Sequence, residues 1–185
     1  MIVWIDTETT GLDHEKDTLL EVAVIITTDD LEIVDSYSEV IKTKKRDLKR
    51  MNDFVLNLHT KSNLLNAVSE ATKTMGEVEQ EIITFLGRHG LTKGLVLAGN
   101  SVHFDRYFLL RLMPELMRKF THQNLDVTSI GHCVKRWHPE VYDLMKSRSG
   151  EVAHRALDDI LSSIGQLVQY RHYSFLDTPN LGERS

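Results

Sequence analysis

Met1-Ile2-Val3-Trp4-Ile5 opens the chain as an apolar run that stops at Asp6. Residues 19–27 and 32–41 are rich in β-branched side chains and flank Asp29-Asp30, whose short polar side chains suit a turn. With residues 2–6 they predict a three-stranded antiparallel meander. From Met51 to His89 the period becomes helical, with Ser62 and Thr74 as candidate N-caps and Gly90 as the stop. Residues 95–99 are apolar without alternation, the pattern of a strand buried on both faces. Helical spacing resumes over 104–119 with a break at Pro114, and residues 125–127 predict a short strand leading into a helix that reaches about Trp137. A last helix is predicted from about Ala156 to Tyr170, with Ile160, Ile164, Leu167 and Val168 on one face. Strands first and alternation later give an α/β chain, expected to be one domain over residues 1–176 with a disordered tail over 177–185.

The 185 residues, 41% of them hydrophobic, are enough for a substantial core. A single cysteine, Cys133, permits no intramolecular disulfide and no thiolate-based zinc cluster, which points to a reducing, cytoplasmic setting. No positive region precedes the opening run and no apolar stretch reaches the length of a membrane span, so neither secretion nor membrane insertion is expected. A net charge of −5 argues against a broad basic face for long duplexes and leaves short or metal-bridged phosphate substrates open. The local exception is residues 42–50, where six of nine side chains are basic. That segment reads either as a solvated connecting loop or as a rim that attracts phosphate.

Candidate chemistry sits at the element ends. Side chains alternate along a strand, so Asp6 and Glu8 point to the same side, on the order of 7 Å apart along the backbone. Two such carboxylates can share a hard divalent cation, or they can belong to an ordinary strand-to-turn transition with Gly11 supplying the turn. Asp105 falls just past the strand at 95–99, where a helix begins and its dipole favours a carboxylate. His154 precedes the last helix, and Asp159 lies about one turn inside it. Each signal is ordinary alone, but their occurrence together and in this order is specific.

Asp6-x-Glu8, Asp105 after Gly99-Asn100-x-x-x-Phe104, and His154-x-Ala156-x-x-Asp159 resemble the DEDDh group of 3′-to-5′ exonucleases, defined by four acids and a histidine, over nearly the whole chain. Within that group the chain is most similar to the oligoribonucleases, through Trp4-Ile5-Asp6-x-Glu8-x-Thr10-Gly11-Leu12-Asp13, His59-Thr60-x-Ser62, Met113-Pro114-Glu115-Leu116 and His154-Arg155-Ala156-x-Asp158-Asp159. The resemblance implies a ribonuclease-H-like fold with a mixed five-stranded sheet flanked by helices. It also implies a homodimer that releases mononucleoside 5′-monophosphates from the 3′ end of short single-stranded RNA. Asp6, Glu8, Asp105 and Asp159 are implied as ligands of two divalent cations, Mg²⁺ or Mn²⁺, about 4 Å apart. His154 is implied as the base that takes the attacking water's proton, a role suited to an imidazole pKa of about 6.5.

The same resemblance implies substrate contacts. Leu12 would wedge between the terminal bases, and Phe54 stands where oligoribonucleases carry a tryptophan able to stack on a base. Taken on its own, Phe54 reads as a core residue. His59, Asn100 and Ser101 match positions near the substrate. His122 and Gln123 occupy the places of a tyrosine and an arginine that cap a 5′ phosphate across the dimer. A glutamine lacks the charged bidentate grip of a guanidinium, so strict preference for dinucleotides is not expected.

The alternative within the superfamily is a general 3′-to-5′ exonuclease acting on longer RNA or single-stranded DNA, of the proofreading or tRNA-trimming type. Outside it, Asp6-Thr7-Glu8-Thr9-Thr10 resembles the nucleophile motif of haloacid-dehalogenase-like phosphatases, a reading that leaves Asp105 and the His154-to-Asp159 spacing without a role. A non-catalytic nucleic-acid-binding or partner-binding protein would be marked by loss of one of the five positions, and all five are filled.

Overall fold

The structure is a computed structural model that describes residues 1–148 and 154–175. β1 (Ile2–Thr9), β2 (Leu19–Thr27) and β3 (Ile33–Val40) form the expected antiparallel meander. β4 (Leu95–Gly99) and β5 (Phe120–Asp126) join β1 on its other side in parallel, so the order is β3-β2-β1-β4-β5. This is the mixed five-stranded sheet that the resemblance implied. The helices are α1 (Lys45–Leu48), α2 (Asp53–Lys61), α3 (Leu64–Glu70), α4 (Met75–Arg88), α5 (His103–Leu112), α6 (Pro114–Met117), α7 (Val127–Trp137), α8 (Pro139–Arg148) and α9 (Ala156–Tyr170), with a π-helical turn over Arg171–Phe175.

The two-residue repeat of β1 decides which layer each functional side chain meets. Val3 and Ile5 join Val22, Val24 and Leu97 in a core closed by Ile82 and Phe85 of α4 and Phe108 of α5. Trp4 joins Ala23, Ile25 and Ala98 in a second core closed by Val134 of α7 and Ile160 and Ile164 of α9. The buried Trp4 indole donates to Thr27 Oγ1 at 3.0 Å, so burying its N–H leaves no polar group unpaired. Continuing the alternation, Asp6 and Glu8 fall on the side of α9, and Thr7 on the side of α5.

Several boundaries differ from the pattern. β1 runs on to Thr9, so both carboxylates lie within the strand, and the register with β2 shifts between Glu8 and Thr9. Ser62 closes α2 instead of opening a helix; α2 is capped by Asn52, whose side chain accepts from the Val55 N–H at 2.9 Å. Thr74 does cap α4, in a reciprocal box with Glu77, and Gly90 ends it with φ +73°. β5 starts at Phe120, so His122 and Gln123 lie on the sheet's edge strand, and Val127 opens α7. α8 was not anticipated, because its apolar face, Val141, Tyr142 and Met145, spans little more than one turn. Val168 is exposed, unlike Ile160, Ile164 and Leu167. The basic run at 42–50 contains the short helix α1, seated through Leu48 on a small core of Leu20, Leu64 and Val68. The expected tail over 177–185 lies outside the described residues. No helix among the described residues is long and apolar enough to cross a membrane.

Candidate active site

Asp6 and Glu8 meet Asp159 from α9, and one ligand oxygen of each lies within 4.8 Å of the others. α9 supplies its acid from the first turn, with the Asp159 N–H bonded to the Arg155 carbonyl. Asp105 approaches from the opposite layer and is buried; its Oδ1 accepts from the Thr7 hydroxyl at 2.7 Å. It lies outside the three-acid cluster in the described residues, tied to it through the strand residue between Asp6 and Glu8. His154 is half-buried just ahead of α9, with φ +51°, a left-handed conformation that histidine adopts more readily than most residues.

The electrostatics are those of like charges crowded in a dry place. Burial, followed by repulsion from Asp105, Asp159, Glu8 and Glu21, raises the Asp6 pKa well above its ordinary value. Glu8 is pushed up to about 8, chiefly by burial and then by Asp159 and Glu21, with Arg155 opposing. Asp105 is pushed up to about 7 by burial, against the lowering effect of the Thr7 hydrogen bond. Burial raises Asp159 too, with the nearby His154 charge opposing. Asp159 Oδ1 is buried with no hydrogen-bond partner among the described residues. A buried cluster of oxygen donors, one of them orphaned, fits a hard divalent cation, which would relieve the repulsion and satisfy the orphaned oxygen.

Of the residues expected at the substrate, Leu12 is 78% exposed and Phe54 74% exposed. Phe54 is thus no core residue. The Leu12 turn depends on Gly11, where a Cβ would stand 2.4 Å from Asp17 Oδ2. His59 is buried at 1% exposure; its Nε2 bonds the Thr9 carbonyl at 2.8 Å, and Nδ1 faces Glu8 Oε2 at 3.8 Å, too long for a hydrogen bond. Burial lowers its pKa, against the raising effect of the Thr9 bond. The Asn100 amide donates to Ser163 Oγ at 2.9 Å, and its carbonyl accepts from the Thr128 hydroxyl at 3.3 Å, joining β4 to α9 and α7. The Ser101 N–H donates to Thr128 Oγ1 at 2.9 Å and to Asp126 Oδ1 at 3.1 Å. His122 and Gln123 are exposed on β5, where the Gln123 carbonyl accepts from Arg106 at 3.0 Å.

Two supporting residues escaped the sequence reading. Glu21 of β2 pairs opposite Glu8 and is 2% exposed; it holds Arg155 through contacts of 2.6 and 3.0 Å and accepts the Ala156 N–H at 3.2 Å. It therefore clamps the start of α9, between His154 and Asp159. Asp17 accepts from the Thr10 hydroxyl at 3.1 Å and the Asp13 N–H at 3.0 Å, folding the Leu12 turn back on itself. Neither has a motif of its own. The one signal was an acid inside an otherwise apolar strand, at Glu21.

A family model described as Exonuclease matches residues 3–167. The chain is 40% identical over 176 residues to the mitochondrial oligoribonuclease of Bos taurus, covering 94% of this chain and 73% of that one. It is 36% identical over 180 residues to the oligoribonuclease of Neisseria meningitidis serogroup B, covering 96% of this chain and 94% of that one. Among solved structures, the zinc-bound E. coli exonuclease I in complex with single-stranded DNA is similar with a TM-score of 0.74 at 14% identity, over 94% of this chain. The chain spans about 40% of the length of that protein, and the likeness establishes the fold. With the family match running along most of its length and relatives this similar over nearly all of it, the chain belongs to the exonuclease family and, within it, to the oligoribonucleases.

Proposed function

We propose that the protein is a 3′-to-5′ exoribonuclease that shortens small single-stranded oligoribonucleotides to mononucleoside 5′-monophosphates. The observation that carries the reading is the convergence of Asp6, Glu8 and Asp159 on one point, with Asp105 and His154 beside it. Asp6, Glu8, Asp105 and Asp159 would hold two divalent cations, Mg²⁺ or Mn²⁺. Bound there, the cations supply the charge that acidifies water and stabilises a departing 3′ oxygen. His154 accepts the proton of the attacking water. Leu12 and Phe54, both projecting into solvent, engage the terminal bases. Asn100, Ser101 and His59 complete the substrate contacts of this reading, Asn100 and Ser101 braced by Ser163 and Thr128 and His59 with its Nδ1 3.8 Å from Glu8 Oε2. In this reading the working form is a homodimer in which His122 and Gln123 of the edge strand meet the 5′ end of a substrate bound by the second protomer, and the single cysteine suits a reducing, cytoplasmic compartment.

The test is shortening of 5′-labelled RNA of two, three, five, seven and twenty nucleotides, with matched DNA, in Mg²⁺, Mn²⁺ or EDTA, alongside the molar mass by light scattering. Metal-dependent loss of 3′ nucleotides from RNA, fastest on the short lengths, is expected. No turnover on any strand would refute the reading, and faster action on long RNA or DNA would make the protein a general exonuclease.

A further inference from the structure

After Leu12 the turn meets α5 twice, through His14 at Tyr107 and through Asp17 at Arg111, and two features lie there. His14 and Tyr107 stack with ring centroids 5.0 Å apart and planes at 27°. Both are exposed, Tyr107 by 51%. Tyr107 follows Asp105 by two residues and precedes Arg111 by about one turn of the same helix. Beyond it opens a cleft of about 580 Å³ to which Lys16, Arg46, Arg50 and Arg111 come from three separate segments. Arg111 is held there by donating to the Asp17 carbonyl. The basic run at 42–50 thus contributes Arg46 and Arg50 to one wall of a defined cleft.

Glu15, Asp17 and Asp47 share that cleft. Their charge is partly committed: Asp17 is buried and accepts from the Thr10 hydroxyl and the Asp13 N–H, and Asp47 lies 3.5 Å from Arg46. Lys16 is paired with Asp13 at 2.7 Å. Arg50 and Arg111 make no ion pair among the described residues. A paired stacking surface beside guanidinium groups, of which Arg111 is tethered through a carbonyl and Arg50 makes no ion pair among the described residues, suits a single strand, since every base has a face to stack and every linkage a phosphate.

We infer that His14, Tyr107 and this cleft form an extension subsite for single-stranded nucleic acid, with a base stacked on the aromatic pair and the adjoining phosphates held by the arginines. The direction rests on the proposed function: with the 3′ end at the carboxylates, only nucleotides 5′ of the terminal pair can reach the cleft. The subsite would let the enzyme act on strands longer than a dinucleotide.

The experiment measures binding of fluorescein-labelled RNA of two and seven nucleotides by anisotropy in EDTA, where no chemistry consumes the probe. The full chain is compared with Tyr107→Ala and with the double variant Arg46→Glu, Arg50→Glu. Either change should weaken seven-nucleotide binding about tenfold, with a smaller effect on the dinucleotide. The double variant should also flatten the salt dependence for the longer strand. In Mg²⁺ the ratio of kcat/KM for seven over two nucleotides should fall in step. Unchanged seven-nucleotide binding in both variants, or equal weakening of both lengths, would overturn the subsite. A wild-type enzyme that hydrolyses neither length would remove the proposed function, and the anisotropy would still decide whether the subsite exists.

Discussion

Asp6 and Asp159, both proposed metal ligands, set that proposed chemistry against stability. Both are raised in pKa by burial and neighbouring acids, so each costs the metal-free fold something to keep. Asp6→Asn and Asp159→Asn should each lower turnover by more than the roughly 10–100-fold that outer-sphere partners cost, because they remove proposed ligands directly. Melting temperature in EDTA should be equal or higher in both variants; retained turnover in either would exclude the two-cation assignment. The pH dependence follows from the same crowding. Glu8, at about 8, and Asp105, at about 7, hold protons in the fold that they would release when unfolded. The folded state therefore binds more protons between roughly pH 4 and 8, and metal-free stability is fullest below that window and falls as pH rises through it. Thermal melts at pH 5, 6, 7 and 8 in EDTA should show the decline, Mg²⁺ should reduce it, and Glu8→Gln should make it shallower. A slope identical in Glu8→Gln and wild type would contradict the account. At this scale the acids and His154 were legible because their residue types and spacings are their chemistry. The exposure of Phe54 was not, since an aromatic flanked by apolar residues at helical spacing reads the same whether it points in or out.

Among elements, α9 matters most to the site and is held by a contact far away in sequence. Glu21→Ala would leave Arg155 without its partner and the Ala156 N–H without an acceptor. Arg155 is a third exposed and can recover some hydration, so the loss should lie near the lower end for a buried pair, about 3 kcal/mol. That corresponds to a melting-temperature drop of roughly 6–12 °C by calorimetry, with turnover falling as α9 loosens. Thr74→Ala makes a contrast. It removes the cap of α4, which packs on the face opposite Asp159, and should cost about 1 kcal/mol with turnover nearly unchanged. An equal loss of activity in both variants would mean that α9 anchoring has no special role. α4 and α9 were visible in the sequence because each has a long apolar stripe, and α4 also has a capping box and a glycine stop. α8 was invisible because its apolar face, Val141, Tyr142 and Met145, is only about one turn long and packing onto α7 and α9 holds it.

For the whole molecule, substrate length is the property that local reasoning leaves least determined. Gln123 lies on an exposed edge strand beside Arg106, and Gln123→Arg should shift preference toward 5′-phosphorylated dinucleotides if that edge reaches the 5′ end across a dimer. An unchanged length profile would separate the edge strand from length selection. The sequence by itself determined the order of elements in outline, the five candidate catalytic positions and the family likeness, because alternation in strands, periodicity in helices and the spacing of acids are local and survive without coordinates. Only the tertiary structure decided that Asp6 and Glu8 share a face with α9 and not α5, that Glu21 rather than a loop residue anchors that helix, and that Lys16, Arg46, Arg50 and Arg111 share one cleft. Those outcomes depend on which strand pairs with which and on contacts between segments far apart in the chain, and such proximity is set by packing, which no local pattern encodes.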